Sequence, residues 1–374
     1  MAEVPFFDLK PILSQLRPQL DQAIASVLDS GQFIGGEFVE SFEREFADYL
    51  GVAECVGVGN GLDAIRLSLE VAGVGPGDEV LVPGFTYYAT WLAVLEIGAI
   101  PVPIDVNEFA VIDVALLEEA LSECTRAIVP VHLFGIRSDI EVIRSFADAH
   151  HLAVVEDAAQ AHGGRSANGQ MLGAVGTFGA FSLYPTKNLG ALGDAGVIAT
   201  NDSAAAERLR SRRSNGRGAD KYEHVDTGWN SRLDPFQAAI LSVYLPMLEG
   251  WNARRREIAQ RYISALGEFG SQIVSAAAVE ASVWHHCVVR TSHRAEFRSY
   301  LASCGVGTDI HYPYSFDSVP ALARFGASKW AGRLPHSERF GREVVSLPIG
   351  PWMSEVQIEQ VQAALAGVPE EYFH

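Results

Sequence analysis

From about residue 52 to 200, short apolar runs alternate with segments whose apolar residues recur at helical spacing. The runs are "CVGV", "EVLVP", "IPVPID", "AIVPVHLF", "LAVVEDAA", "AFSLY" and "GVIAT". Between them, Leu62, Ile65, Leu69 and Ala72 share one helical face, as do Ile140, Ile143 and Ala147. Strands alternating with amphipathic helices predict an α/β domain around a mostly parallel sheet. Runs as continuously apolar as "AIVPV" suit strands covered on both faces. Ligands of such sheets bind in the loops at the carboxyl ends of the strands. Three polar stretches stand there: "GNGLDA" after "CVGV", "FTYYAT" after "EVLVP" and "EDAAQAHG" after "LAVV".

A long helical pattern then runs from about 235 to 266 through Ile240, Tyr244, Met247, Leu248 and Trp251. It is interrupted near Pro246 and carries a basic face, Arg254-Arg255-Arg256. Beyond it come an alternating run, "SVWHHCVVRT", a helix near 293–303, the stretch "VGTDIHYP" and a last helix near 353–366. The pattern therefore divides the chain into a large domain over 1–246, with an N-terminal helical segment, and a small α+β domain over 247–374.

Charge narrows the partners. A formal net charge of −18 repels nucleic acid and anionic membrane surfaces. The locally basic "RLRSRRSNGRGADKY" reads as a solvated helix end and loop. Cys55, Cys124, Cys287 and Cys304 are scattered with no CxxC pair, which disfavours a metal site or a disulfide framework and suits a reducing cytoplasm. The N-terminal "MAEVPFFDLK" lacks the basic and apolar regions of a signal peptide. No stretch approaches the roughly 18 apolar residues of a membrane span. A cytoplasmic protein without a metal is expected.

The chemistry centres on "FSLYPTKNLGALGDAG", residues 181–196, where one lysine, Lys187, sits among turn-forming and small residues. It is either a surface lysine or one held in a closed pocket for covalent chemistry. Asp157 ends an apolar strand, and a buried carboxylate needs a partner. A cationic ring nitrogen would provide one; capping the next turn is the structural alternative. Gly61 opens a helix whose N-terminal N–H groups could cradle a phosphate. Tyr87 could stack on a flat ring or fill the core. Ser182 could offer its hydroxyl to a phosphate. Phosphate, flat ring, cationic nitrogen and an aldehyde for a lysine together describe pyridoxal 5'-phosphate. Burial makes a lysine easier to deprotonate, as Schiff-base formation requires.

With "GNGLDAIRL", "VPGFTYYAT", "VEDAAQAHG", "FSLYPTKNLGALGDAG" and "GWNSRLDPFQAAIL" in this order, the chain resembles the DegT/DnrJ-type nucleotide-sugar aminotransferases of the aspartate aminotransferase fold. The resemblance covers nearly the whole chain. It implies a pyridoxal-phosphate transferase of fold type I, with Lys187 as the catalytic Schiff-base lysine. It sets Asp157 on the pyridine nitrogen, Gln160 on the ring hydroxyl and Tyr87 on the ring face. Gly61, Leu62 and Ser182 would hold the phosphate, joined by Asn230 from a neighbouring subunit. A homodimer with shared active sites follows from that last role. The resemblance also implies L-glutamate as donor and a dTDP-linked 3-keto-6-deoxyhexose as acceptor, with Tyr184 and His311 near the sugar. Lys221 would meet the diphosphate, and Arg232 is a candidate for the donor carboxylate.

Three positions depart from the family pattern. Leu62 stands where Thr or Ser is frequent, so only its backbone N–H can serve. Asp317 stands where a histidine is frequent, and Ala195 replaces a glycine. Other readings are a 4-aminating enzyme of the same family, a non-catalytic cofactor-bound sensor and a sugar dehydratase. The dehydratases carry a histidine at the lysine position, so Lys187 favours transamination. A nicotinamide-binding Rossmann oxidoreductase would use "GVGNGL", but Leu62 replaces its third glycine and Lys187 is left without a role. His132 and His162 read equally as neighbours of the ring or as structural histidines.

Overall fold

The computed structural model describes residues 3–220, 222–276 and 281–373. Three helices open the chain: α1 (Lys10–Gln15), α2 (Arg17–Ser30) and α3 (Glu37–Leu50). The alternating part follows as β1 (Glu54–Val58), α4 (Gly61–Val71), β2 (Glu79–Pro83), α5 (Tyr88–Glu96), β3 (Ile100–Ile104), β4 (Thr125–Ile128), α6 (Ile140–Ala149), β5 (Ala153–Asp157), β6 (Phe178–Ser182), β7 (Gly196–Thr200) and α7 (Ser203–Arg212). The seven strands form one sheet in the order β1-β7-β6-β5-β4-β2-β3. Every pairing is parallel except those of β7, which runs antiparallel to β1 and β6.

The sheet is buried on both faces, as its continuous apolar runs require. Leu81, Ile128, Val154, Phe181 and Val197 pack on one side with α2, α3 and α6. Val80, Val82, Val155, Ala180 and Ile198 pack on the other with α4, α5 and α7. A dinucleotide fold keeps its first strand central. Here β1 is an edge strand, so the Rossmann reading fails on topology.

The predicted 235–266 helix exists as α8 (Pro235–Tyr244) and α9 (Leu248–Ala265), joined by a tight turn over Leu245–Met247. Pro246 has no N–H for the helical ladder, so the break falls there. After α9 come β8 (Cys287–Arg290), α10 (Arg294–Ser303), α11 (Pro335–Glu343), β9 (Val344–Leu347) and α12 (Glu355–Ala366). β8 and β9 pair antiparallel. Their apolar faces meet α9, α10 and α12 in a core of their own, centred on Tyr262, Trp284, Val289, Phe297 and Val361. The N-terminus returns to this layer, where Val4 bridges Val306. The result is a large α/β unit with a smaller α+β layer against it.

Two sequence expectations are trimmed. "AIVPVHLF" stays a strand only to Ile128, because Pro130 cannot donate to the ladder. "SVWHHCVVRT" is a strand only from Cys287; Trp284 takes a positive φ of 51° and turns the chain. Among the described residues no helix is long and apolar enough to cross a membrane.

Candidate active site

The carboxyl ends of β1, β2, β5 and β6 open into one cavity of about 560 Å³. Each strand delivers its polar loop to it. β1 leads to Asn60, Gly61 and Leu62, β2 to Thr86 and Tyr87, β5 to Asp157 and Gln160, and β6 to Ser182, Tyr184 and Lys187. The smaller layer closes the cavity with His285, His286, His311 and Tyr312.

Lys187 lies in the loop after β6, which several hydrogen bonds hold. Its backbone N–H donates to the Tyr184 carbonyl at 2.8 Å. The side chain of Asn188 donates to Asn252 Oδ1 at 2.8 Å and to the Val283 carbonyl at 2.9 Å. Asn188 Oδ1 also meets His285 Nδ1 at 3.0 Å, tying the lysine loop to the smaller layer. Burial pushes the Lys187 ammonium down to about 8, against the pull of Asp157. The lysine is therefore poised to lose its proton near neutral pH.

Asp157 is 6% exposed. Its Oδ2 accepts from the Thr90 hydroxyl at 2.8 Å and its Oδ1 from the Ala159 N–H at 3.2 Å. Burial raises its pKa, while Thr90, Ala159 and the Lys187 charge hold it down. Gln160 is buried; its Oε1 accepts from the Phe134 N–H at 2.6 Å and its Nε2 donates to the Tyr312 hydroxyl at 2.9 Å. Tyr87 is 56% exposed at the mouth, its ring 5.3 Å from that of Tyr312.

Gly61 is the first residue of α4, capped by Asn60, whose Oδ1 accepts from the Asp63 N–H at 2.8 Å. A Cβ at Gly61 would lie 2.6 Å from Ser182 Cβ. Only glycine lets the start of α4 and the end of β6 approach so closely. The α4 N-terminus and the Ser182 hydroxyl thus share one corner, suited to an anion.

His311 is stacked on His286, with ring centres 3.9 Å apart, and its Nδ1 lies 2.9 Å from Ser346 Oγ. Burial lowers its pKa to about 4, with Asp309 opposing and Lys187 assisting. Tyr184 is half-exposed at the mouth. Asn230 does not line this cavity; it is exposed on the hairpin bridged at Ser214 and Asn230, and Arg232 donates to its Oδ1. Lys221 lies outside the described residues.

Sequence reasoning passed over Thr90, Tyr312, His285, His286 and Asn188. Thr90 was legible: it lies on α5 one turn after Tyr87, inside the quoted "FTYYAT". The "HH" pair was absorbed into a strand pattern that the turn at Trp284 breaks. His132 and His162 do not line the cavity. His132 donates from Nε2 to Glu156 at 3.0 Å while its Nδ1 accepts from the Ser138 N–H at 3.1 Å. His162 is buried beside Phe181, and burial, with the Lys187 charge, lowers its pKa to about 3.

A mostly parallel seven-stranded sheet with one antiparallel strand, and a lysine loop after β6 facing a carboxylate at the end of β5, define the fold-type-I transferase class. Residues 14–366 match the DegT/DnrJ/EryC1/StrS aminotransferase family, and the chain belongs to it. It is 47% identical to the dTDP-3-amino-3,4,6-trideoxy-alpha-D-glucose transaminase of Streptomyces venezuelae over 96% of this chain and 94% of that one. Its fold matches the crystal structure of S. venezuelae DesV in complex with a ketimine intermediate, with a TM-score of 0.93, 46% identity and 98% of each chain covered. It also matches NtdA from Bacillus subtilis, solved with bound cofactor PMP, with a TM-score of 0.89, 32% identity and coverage of 98% of this chain and 85% of that one. The chain is an aminotransferase.

Proposed function

We propose that this chain uses pyridoxal 5'-phosphate to move an amino group from L-glutamate to C-3 of a dTDP-linked 3-keto-6-deoxyhexose. The convergence of Lys187, Asp157 and the Gly61–Ser182 corner in one cavity carries the cofactor reading. The residues fit that group: a glycine-only corner for a phosphate, a buried carboxylate for a ring nitrogen and a lysine of lowered pKa. The PMP-bound relative supports the same cofactor. When bound, pyridoxal phosphate supplies an electron sink and a carrier for the amino group.

Asp157 would hold the ring nitrogen protonated, with Thr90 fixing the carboxylate's direction. Gln160 would face the ring hydroxyl and Tyr87 the ring. The N–H groups of Gly61 and Leu62, with the Ser182 hydroxyl, would hold the phosphate. Lys187 would take a proton from the donor carbon in one half-reaction and return one to the sugar carbon in the other. His311 and Tyr184 would border the sugar, and the partner's Lys221 would meet its diphosphate.

Asn230 lies outside its own cavity, which supports a role in the neighbouring subunit and hence a homodimer with shared sites. The four cysteines are all unbonded, in keeping with a cytoplasmic enzyme. Amination at C-3 rests on the name of the S. venezuelae relative. The test supplies the 3-keto and the 4-keto dTDP sugar with glutamate and locates the new amine by NMR. A product aminated at C-3 is expected; amination only at C-4 would overturn the acceptor assignment and leave the cofactor reading intact.

A further inference from the structure

A second cavity of about 210 Å³ adjoins the first and shares Thr186, His285, His286 and His311 with it. It is smaller than the roughly 300–1,000 Å³ of a whole small-ligand site, so it suits one end of a molecule held in the larger cavity. Arg255 of α9 lines it.

Arg255 is 2% exposed. Its Nη1 donates to the carbonyls of Ile349 at 3.1 Å, Trp284 at 3.3 Å and His285 at 3.5 Å. Its Nε has no hydrogen-bond partner among the described residues. No ion pair to a described carboxylate is present. Burial alone lowers its pKa, to about 9, which leaves it charged at neutral pH. A buried cation with no counter-ion is costly unless an anion joins it. The facing histidines do not provide one: burial and neighbouring cations keep His285 and His286 neutral. Asp309 also borders the cavity, but its side chain is 56% exposed and lies 3.9 Å from His311, where water screens it.

We propose that this side cavity is a carboxylate subsite, with Arg255 as its cation, and that it receives a carboxylate of the amino donor. The assignment rests on the aminotransferase reading. The donor must bring its amine to Lys187, and Thr186 and His285 form the wall common to the lysine cavity and the subsite. A guanidinium suits a planar carboxylate better than any other side chain does. The cavity is too small for a nucleoside diphosphate, and Arg232, the sequence-based candidate, does not line either cavity.

The experiment measures 2-oxoglutarate binding to the holoenzyme by calorimetry, and KM for glutamate and for the keto sugar, in wild type, Arg255→Met and Arg255→Lys. Arg255→Met should weaken 2-oxoglutarate and raise the glutamate KM by about 10- to 100-fold, with the sugar KM unchanged. Arg255→Lys should show a smaller change of the same kind, and it decides the matter alone if Arg255→Met does not fold. Unchanged glutamate KM and 2-oxoglutarate affinity in a folded variant overturn the proposal. So does a wild type that shows no saturable 2-oxoglutarate binding. Inorganic phosphate should not displace 2-oxoglutarate; displacement at equal concentration would reveal a general anion site and overturn the donor assignment. If no keto sugar is aminated but 2-oxoglutarate binding still depends on Arg255, the acceptor reading fails and the subsite stands.

Discussion

Lys187 concentrates the chemistry at the scale of one residue. Its pKa falls to about 8 because burial penalises the ammonium more than Asp157 favours it. The neutral amine is therefore populated about two units below the usual lysine range of roughly 10.4. In cofactor-free protein, labelling of Lys187 by an amine-directed reagent should rise with pH and reach half its maximum near 8; a midpoint above 10 would contradict the burial. Lys187→Ala should lower turnover by at least about 10²–10⁴-fold, the scale of a lost proton-transfer group. Asp157→Asn should fold and lose on the order of 10²-fold, because a neutral amide cannot hold a ring nitrogen protonated. Steady-state assays check both. Gly61→Ala tests the anion corner. Its new methyl would press on Ser182 Cβ at 2.6 Å, and overpacking of this kind costs about 1–3 kcal/mol. A lower Tm and weaker cofactor retention are expected together. Lys187 and Asp157 were legible because a charge in an apolar or turn-rich setting stands out in one dimension. Arg255 was not: in the sequence it is the middle of three arginines, and only burial separates it from its neighbours.

At the scale of elements, the alternation within β5 explains why "VVED" carries two acids with different fates. Successive strand residues point to opposite faces. Asp157 reaches the cavity, while Glu156 is fully buried and turns away from it. Glu156 accepts from the N–H groups of Gly173 at 2.8 Å, Val175 at 2.8 Å and Gly176 at 2.6 Å, and from His132. It thus organises the loop that leads into β6 and, through β6, into the lysine loop. Glu156→Ala should destabilise the fold by about 3–5 kcal/mol, since it strands several buried donors at once. Chemical denaturation measures this, and a loss below about 1 kcal/mol would contradict the bonding pattern. Helices α4 and α6, whose apolar residues recur at helical spacing, follow the sequence pattern closely, because periodicity encodes which face is buried. The short helix α11 and strand β9 escaped it. α11 has nine residues and β9 four, and distant partners set both: the N–H groups of His336 and Ser337 donate to Asp105, and β9 pairs with β8.

For the whole molecule, the hairpin between α7 and α8 poses the remaining geometric question. Arg212 anchors it through Asp226 at 2.9 Å and Glu70 at 3.0 Å, and Trp229 donates to Glu70 while its ring lies under Arg66 at 3.8 Å. These bonds give the hairpin a fixed direction, yet its Asn230 side chain stays exposed and outside the cavity of its own chain. A polar residue held firmly towards solvent is what a symmetric pair of subunits can use, since in an isologous dimer each chain presents the same group to the other. If Asn230 completes the neighbour's site, Lys187→Ala and Asn230→Ala damage different halves of one composite site. Each variant alone should be nearly inactive. In a mixed dimer, one site combines both defects, while the other keeps an intact Lys187 and an intact Asn230. Random pairing of equal amounts should therefore restore about a quarter of wild-type activity, since half the dimers are mixed and each has one sound site. Co-expression of the two variants, followed by activity measurement and sedimentation to confirm the dimer, checks this. Activity no greater than the sum of the two separate variants would return Asn230 to its own chain and remove the reason for a shared site.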